Sequence, residues 1–265
     1  EAPSTFGPQL SDEVTVAFWC WGDAQKMPRA HNTVEAYDSR GRRVLNIHLP
    51  WDNKTVYWDC GIDPDSGAVD RIEKATADEN FEGRWNHWAF VKTRSGEMRV
   101  YVNGTLFHTG SGKTLKMVGI TRFVVGSGGS ASYEGLLDEF QVWNVALDET
   151  TIRNYMHRKI ADDHPQWNRL QLYYRADSDA NDLVARDDSQ FGYHGSLFGV
   201  PSRQELRLDQ LGNTSLVSIS RPFIDLETGS VAATSTPDYE DVTMAVKRTS
   251  VVLFERPVER RIYRP

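Results

Sequence analysis

The sequence is poor in cysteine, in histidine at metal-binding spacings and in long apolar runs, and each shortage excludes a class of protein. Only two cysteines occur in 265 residues, and two isolated cysteines cannot form a structural zinc site by themselves. The seven histidines show neither His-x-His nor His-Glu-x-x-His spacing, so no transition-metal site is indicated. No run approaches the roughly 20 apolar residues that a membrane-spanning helix needs, so we predict no membrane span.

Signatures of catalysis are also missing. No Gly-x-Ser-x-Gly elbow occurs, and neither cysteine has the surroundings of a nucleophile. The run 110–114, GSGKT, resembles the end of a phosphate-binding loop, but Phe107 stands where that motif requires glycine, which favours a hairpin loop. A retaining glycosidase needs two carboxyl groups about 5.5 Å apart. Glu134 is too far along the strand from Asp138, and alternation sends Asp138 and Glu139 to opposite faces, so we predict no enzyme.

Charge is distributed unevenly along the chain. The net charge is −7, and residues 245–265 carry six basic against two acidic residues, which leaves −11 on the first 244 residues. An acidic body argues against a nucleic-acid-binding surface. The basic segment 245–265 is either a solvated end or a binding segment for an acidic partner, such as the body of a second copy.

Short strands separated by turn signals run through most of the chain. The segment 133–156 predicts a strand, a turn and a short helix that Asp148 caps. Asn103-Gly104 is among the strongest short hairpin signals. This spacing argues for a β-sandwich or jelly roll rather than an α/β fold. The other predicted strands are Glu13–Trp21, Thr33–Tyr37, Arg43–His48, Thr55–Cys60, Trp85–Thr93, Met98–Asn103, Thr105–His108, Gly119–Gly126 and Leu170–Ala176.

Three motifs follow one another in a characteristic order. Residues 83–91, GRWNHWAFV, contain Gly-x-Trp-x-His before apolar residues, and residues 99–104 read RVYVNG. Residues 135–147 read GLLDEFQVWNVAL. Together they resemble the laminin-G-like jelly rolls of the concanavalin A type, over residues 10–158. The resemblance implies an all-β sandwich of two antiparallel sheets, with a short helix after the closing strand.

The resemblance also suggests how the chain is divided. We predict a jelly roll over residues 1–200, with core motifs in 10–158 and a closing strand within 170–199, followed by an extended arm or linker over 201–265. Residues 181–199 resemble the opening motif of the family, although here they follow the jelly roll. Either the final strand of the sheet comes from residues 170–176 or a second domain begins there, and the first is preferred because no second set of motifs follows.

Calcium is the metal that the resemblance implies. It takes carboxylate and carbonyl oxygens from loops. Asp138 is the first candidate ligand, and Asp187 and Asp188 would join it if residues 170–199 close the same sheet. The alternative is that Asp138 accepts hydrogen bonds from backbone donors in the sandwich.

A glycan site needs an exposed aromatic ring beside amide and carboxylate groups. The turn Trp51-Asp52-Asn53 has that composition, and Trp58 and Asp59 follow closely. Tryptophan is equally the residue that fills the core of such a sandwich. We therefore predict these five residues as the ligand-binding set, with core packing as the alternative.

Several features permit an extracellular protein without requiring one. A disulfide between Cys20 and Cys60 would stabilise the fold by roughly 3–4 kcal/mol, and two buried free thiols are the alternative. Glycosylation sequons occur at Asn53, Asn103 and Asn213, although Asn103 also has a turn explanation. The opening residues, Glu-Ala-Pro, would suit a mature N-terminus left by processing.

These observations predict a non-catalytic extracellular recognition or adhesion module that binds glycans or a surface glycoprotein. One alternative is a structural subunit of an extracellular assembly, joined through the basic segment 245–265. Another is an accessory domain of a larger secreted carbohydrate-active enzyme.

Overall fold

The predicted all-β sandwich is confirmed. The structure, a computed structural model, describes residues 1–126, 132–176 and 184–197, and the backbone of 203–208 and 214–219. Within those ranges no helix is long and apolar enough to cross a membrane. In chain order the strands are β1 (Val14–Gly22), β2 (Val34–Asp38), β3 (Arg43–His48), β4 (Thr55–Ile62), β5 (Val69–Ala75), β6 (Trp85–Lys92), β7 (Met98–Val102), β8 (Thr105–Gly110), β9 (Ile120–Val125), β10 (Gly135–Trp143), β11 (Leu170–Tyr174), β12 (Val184–Ala185), β13 (Gly195–Ser196), β14 (Arg203–Leu208) and β15 (Thr214–Ile219).

Two antiparallel sheets form the sandwich. One has six strands in the order β11-β10-β1-β6-β7-β8, and the other has five in the order β5-β4-β3-β2-β9. The predicted strands are present with ends that differ by at most two residues, and β5 is an additional strand that the sequence pattern did not predict. The strand predicted to close the sheet is β11, which pairs with β10.

The core lies between the sheets and consists largely of aromatic rings. Alternation along β1 places Val14, Val16, Phe18 and Cys20 on the inner face, as the sequence predicts. Trp58 of the five-stranded sheet packs on Phe90 of the six-stranded sheet, with ring centroids 5.6 Å apart. Each such ring buries a large area, which lets a sandwich with few apolar residues form a continuous core.

A buried ammonium group also joins the two sheets. Lys92 of β6 is 1% exposed, and its Nζ donates to the carbonyl oxygens of Cys60 at 2.5 Å and Leu115 at 2.6 Å. The same Nζ lies 2.9 Å from Oδ2 of Asp70. All three ammonium hydrogens therefore have acceptors, and the charge has a carboxylate partner, which is what a buried lysine requires.

The outer face of the six-stranded sheet is covered by apolar side chains. Helix α1 (Glu149–Tyr155) begins at Asp148, whose side chain accepts a hydrogen bond from the backbone N–H of Thr151 as predicted. Ile152 of α1 packs into a cluster with Trp143 and Tyr173. This face of the sandwich is thus closed by the chain itself.

One detail of β10 differs from the sequence-based prediction. Leu137 and Phe140 both pack against the core, and two residues lie between them instead of one. Glu139 has a φ of 51°, and the pairing with β1 shifts register there, so this is a β-bulge. Asp138 and Glu139 therefore both leave the core face, and the prediction that they point to opposite faces is wrong. Both are 1% exposed, and Glu139 accepts a hydrogen bond from the Tyr173 hydroxyl.

The chain beyond residue 200 is described only as a strand pair. β14 and β15 are antiparallel, with Arg203 opposite Ile219 and Leu208 opposite Thr214. The basic segment 245–265 lies outside the described residues. The division at residue 200 into jelly roll and arm stays a prediction.

Candidate functional site

A row of polar side chains crosses the outer face of the five-stranded sheet. The register pairs Glu35 of β2 with Asn46 of β3, Asn46 with Asp59 of β4, and Asp59 with Arg71 of β5. Their inward neighbours, such as Trp58, belong to the core, so alternation directs all four to the outside. We call Glu35, Asn46, Asp59 and Arg71 the polar row.

Arg71 is held firmly at one end of the polar row. Its Nε donates to Oδ1 of Asp59 at 2.6 Å, and its Nη2 donates to Oδ2 at 2.8 Å. The hydrogen bonds to Asp59 raise the pKa of the Arg71 guanidinium above its ordinary value. The guanidinium carbon also lies 5.0 Å from the centroid of the Tyr57 ring. A bidentate pair that also stacks on an aromatic ring gives a fixed, pre-organised surface.

Aromatic rings lie beside the polar row. His48 of β3 and Tyr57 of β4 are paired, two residues along each strand from the pair Asn46 and Asp59. The imidazole of His48 lies 4.5 Å from the Trp51 ring and 5.8 Å from the Tyr57 ring, centroid to centroid. Asn53 donates from Nδ2 to the Tyr57 hydroxyl at 2.9 Å, and its Oδ1 accepts from the backbone N–H of Thr55 at 3.0 Å. Trp51 and Tyr57 are half-buried, while Asn53 is exposed. We call His48, Trp51, Asn53 and Tyr57 the aromatic edge.

His48 connects the aromatic edge to the polar row. Its Nδ1 lies 2.7 Å from the carbonyl oxygen of His31, so Nδ1 carries the proton and donates. Its Nε2 then accepts from Nδ2 of Asn46, also at 2.7 Å. Burial lowers the pKa of His48 below its ordinary value, which keeps the ring neutral at pH 7. In this arrangement Oδ1 of Asn46 points away from His48 and has no hydrogen-bond partner.

The predicted ligand residues are only partly brought together. Trp51 and Asn53 belong to the aromatic edge, Asp52 lies between them in the same turn, and Asp59 belongs to the polar row. Trp58 does not fit the predicted set, because it is 0% exposed and its position on β4 turns it into the core. The sequence-based prediction missed Glu35, His48, Asn46, Tyr57 and Arg71. Strand alternation between Thr55 and Cys60 was the available signal, since it groups Asp59 with Tyr57 rather than with Trp58.

The predicted calcium ligands do not converge. Asp187 accepts hydrogen bonds from the backbone N–H groups of Tyr173, Ser189 and Tyr193 and from the Ser189 hydroxyl, at 2.7–2.9 Å. Oδ2 of Asp188 pairs with Arg175 at 2.8 Å. Oδ1 of Asp138 accepts from the backbone N–H of Glu139 at 2.9 Å.

These three carboxylates therefore act as acceptors for the fold. Among the residues that the structure describes, no group of three or more His, Cys, Asp or Glu side chains is arranged to hold a metal ion. The residues do not fit a calcium site.

The two cysteines are free thiols, so the disulfide alternative is not formed. Cys20 lies on β1 and Cys60 on β4, in different sheets, and each is buried in the core. Burial raises the pKa of each thiol to about 12. A thiol in this state is a poor nucleophile, since the thiolate is the reactive form.

The three sequons differ in their surroundings. Asn53 is exposed in the turn after β3. Asn103 closes the β7–β8 hairpin, where its Nδ2 donates to Oδ1 of Asn86 at 2.8 Å and its Oδ1 accepts from the backbone N–H of His87 at 2.9 Å. The turn explanation for Asn103 is thus the one that the structure supports. Asn213 lies outside the described residues.

Comparison with known proteins agrees with this architecture. A family model described as the concanavalin A-like lectin/glucanases superfamily matches residues 2–153, which is more than half of the chain. The chain belongs to this superfamily. The resemblance predicted from the three motifs is confirmed, and the matched segment includes both the polar row and the aromatic edge. No curated protein sequence matches the chain.

A solved structure shares the fold of this superfamily member at low sequence identity. A candidate carbohydrate-binding protein from Bacteroides ovatus matches with a TM-score of 0.50 and 15% identity, over 78% of this chain and 54% of that one. The binding domain of botulinum neurotoxin serotype D matches with a TM-score of 0.43 and 13% identity, over 54% of this chain and 36% of that one. The chain thus spans about half the length of the B. ovatus protein.

Proposed function

We propose that this chain is a non-catalytic extracellular module that binds glycans, free or on a surface glycoprotein, at the aromatic edge and the polar row. The observation that carries the proposal is the position of Trp51 and Tyr57. Both rings are half-exposed and lie next to an amide, a carboxylate and a guanidinium. A sugar offers C–H faces that pack on aromatic rings and hydroxyls that pair with fixed polar groups, so this surface suits it.

The two outer faces of the sandwich differ in polarity, and the difference supports a binding site on the five-stranded sheet. There α1 and the residues after it cover the six-stranded sheet with an apolar cluster. The five-stranded sheet instead carries charged and amide groups on its outer face. The B. ovatus neighbour, described as a candidate carbohydrate-binding protein, is consistent with a glycan ligand.

Asn53 has two proposed roles that compete. Its Nδ2 is the atom to which an N-linked glycan would be attached, and it is also the atom that donates to Tyr57. A glycan on Asn53 would replace one of the two Nδ2 hydrogens and cover the aromatic edge. We therefore propose that Asn53 contacts a bound glycan and does not carry one. Self-association through residues 245–265 stays a prediction.

A glycan array tests the proposal. The wild-type chain should bind a subset of glycans, and Trp51→Ala should lose that binding by about tenfold or more, because removing an aromatic anchor from a binding site typically costs more than 1 kcal/mol. Phe191→Ala is the matched control, since Phe191 is an aromatic residue with 44% exposure outside the proposed site. Absence of binding to any glycan, or equal losses in both variants, would contradict the proposal.

A further inference from the structure

Arg71 presents one edge of its guanidinium group at the surface of the five-stranded sheet. A guanidinium has five N–H donors, and Asp59 accepts two of them, one from Nε and one from Nη2. Within the residues that the structure describes, the three remaining N–H groups, two on Nη1 and one on Nη2, have no acceptor. The Arg71 side chain is 41% exposed, so these donors are open to a ligand.

The neighbours of Arg71 fix the direction of that free edge. The carboxylate of Asp59 is itself buried, and the guanidinium carbon lies 5.0 Å from the centroid of the Tyr57 ring. Because Nε and Nη2 face Asp59, the edge formed by Nη1 and Nη2 is directed away from it with two parallel N–H groups. Two parallel donors pair with two adjacent oxygen atoms, which is how arginine recognises its ligands bidentately.

The charges around the free edge favour hydroxyl oxygens over those of a carboxylate. Asp59 already offsets the charge of Arg71. Glu73 lies two residues further along β5 on the same face, opposite Tyr57 in the register, and is exposed. A sugar hydroxyl can accept from Arg71 and donate to Glu73, whereas a ligand carboxylate has no proton to donate and is repelled by Glu73.

We infer that Arg71 is a specificity-determining residue of the proposed glycan site, where its free edge donates to two adjacent hydroxyls of a sugar ring beside Tyr57. The inference rests on the proposed glycan-binding function and names the group of the glycan that is recognised. A ring with two adjacent free hydroxyls satisfies both donors. A ring in which a glycosidic bond uses one hydroxyl of each adjacent pair does not.

Oligosaccharides that differ in linkage test the inference. Every ring of a 1,4-linked hexamer of glucose, galactose or mannose keeps its 2- and 3-hydroxyls free, whereas the internal rings of a 1,3-linked hexamer keep no adjacent free pair. On an array printed with both sets, the wild-type chain should bind at least one 1,4-linked hexamer about tenfold more tightly than its 1,3-linked counterpart. Equal binding, preference for the 1,3-linked set, or binding only to other glycans would overturn the inference but leave the proposed function standing. If no glycan binds, both fail.

A variant pair assigns the preference to Arg71. Arg71→Lys keeps a positive charge beside Asp59 but loses the parallel donors, so affinity for the bound 1,4-linked hexamer should fall about tenfold and the linkage preference should disappear. Arg42→Lys is the matched control, because Arg42 pairs with Asp38 at 2.8 Å in the β2–β3 turn, at the other end of β3 from the aromatic edge, and its affinity should stay within about twofold.

A linkage preference that survives in Arg71→Lys would overturn the assignment, since structural damage alone would weaken binding to both sets of hexamers alike. The wild-type comparison of the two sets needs no variant. The inference is therefore tested even if Arg71→Lys does not fold.

Discussion

The ring of Trp51 meets the imidazole of His48 edge to face, with the ring centroids 4.5 Å apart and the planes at 73°. His48 is itself fixed by two hydrogen bonds, one to the His31 carbonyl and one from Asn46. Trp51, the proposed binding residue on the turn, is thus held in place by His48 of the sheet. Because little freedom remains to be lost on binding, the aromatic edge is pre-organised for a ligand.

The hydroxyl of Tyr57 should matter for binding and hardly at all for folding. Tyr57→Phe removes the atom that accepts from Asn53, which should weaken glycan binding several-fold, since one such hydrogen bond contributes about 1 kcal/mol. The free energy of unfolding in urea should change by less than about 0.5 kcal/mol, because both partners can bond to water. Tyr155→Phe, on the other side of the molecule, serves as the control for binding by titration calorimetry. A loss of affinity of the same size in both variants would contradict this role.

Lys92 should be essential for the sandwich. Lys92→Met leaves Asp70 as a buried carboxylate without its cation, and breaking such a pair typically costs about 3–5 kcal/mol. Urea unfolding followed by fluorescence measures the loss. Lys74→Met is the control, because Lys74 is exposed, donates to the Phe107 carbonyl oxygen and lies over the Phe107 ring, and the substitution should cost less than about 1 kcal/mol. The double variant with Asp70→Asn should recover part of the loss, and no recovery would argue against the ion pair as the cause.

Two buried histidines should make the protein less stable in acid. Burial lowers the pKa of His31 and of His164 to about 4 in the folded state, whereas the ordinary value is 6.5. A lowered pKa gives stability that is present above pH 6.5 and is lost as the pH falls towards 4, because the unfolded chain binds the proton first. Each group should account for about 2 kcal/mol between pH 7 and pH 5.

Urea unfolding at several pH values checks this. The His164 ring packs against the rings of Trp143 and Tyr155, with centroids 4.5 and 4.2 Å away, and His164→Gln removes its titration. The variant should be less stable at pH 7 but should lose about 2 kcal/mol less than wild type between pH 7 and pH 5. An identical pH dependence in variant and wild type would show that His164 is not one of the groups responsible.

Asp187 should stabilise the fold without calcium. It accepts four hydrogen bonds, three of them from backbone N–H groups, so Asp187→Ala should destabilise the protein by about 2–4 kcal/mol. Asp188→Ala, which removes a half-exposed partner of Arg175, should cost less than about 1 kcal/mol. Thermal melts in calcium chloride and in EGTA should coincide for wild type. A melting temperature that rises with calcium would contradict this account of Asp187.

The fold was predictable because its determinants are local. The Asn103-Gly104 turn, the alternation along β1 and the Asp148 cap each fix a short stretch of backbone by themselves. The bulge at Glu139 was not predictable from alternation, since one inserted residue changes which face every later side chain takes. The strand β5 was missed because its exposed positions carry charged residues, which hide the apolar pattern.

The site was harder to predict because it depends on pairing between strands. Trp51, Asn53 and Asp59 stand out by residue type, but Glu35 and Arg71 join them only through the order of the strands and their register. Trp58 shows the opposite error, since its residue type suggests a sugar-binding ring and its position places it in the core. Residue type alone could not decide between the two roles.

A crystal structure of the chain with a bound neutral glycan tests the central claim most directly. The account predicts electron density for a sugar ring packed against Trp51 and Tyr57. A glycan bound elsewhere, such as on the outer face of the six-stranded sheet or beside Phe191, would contradict it.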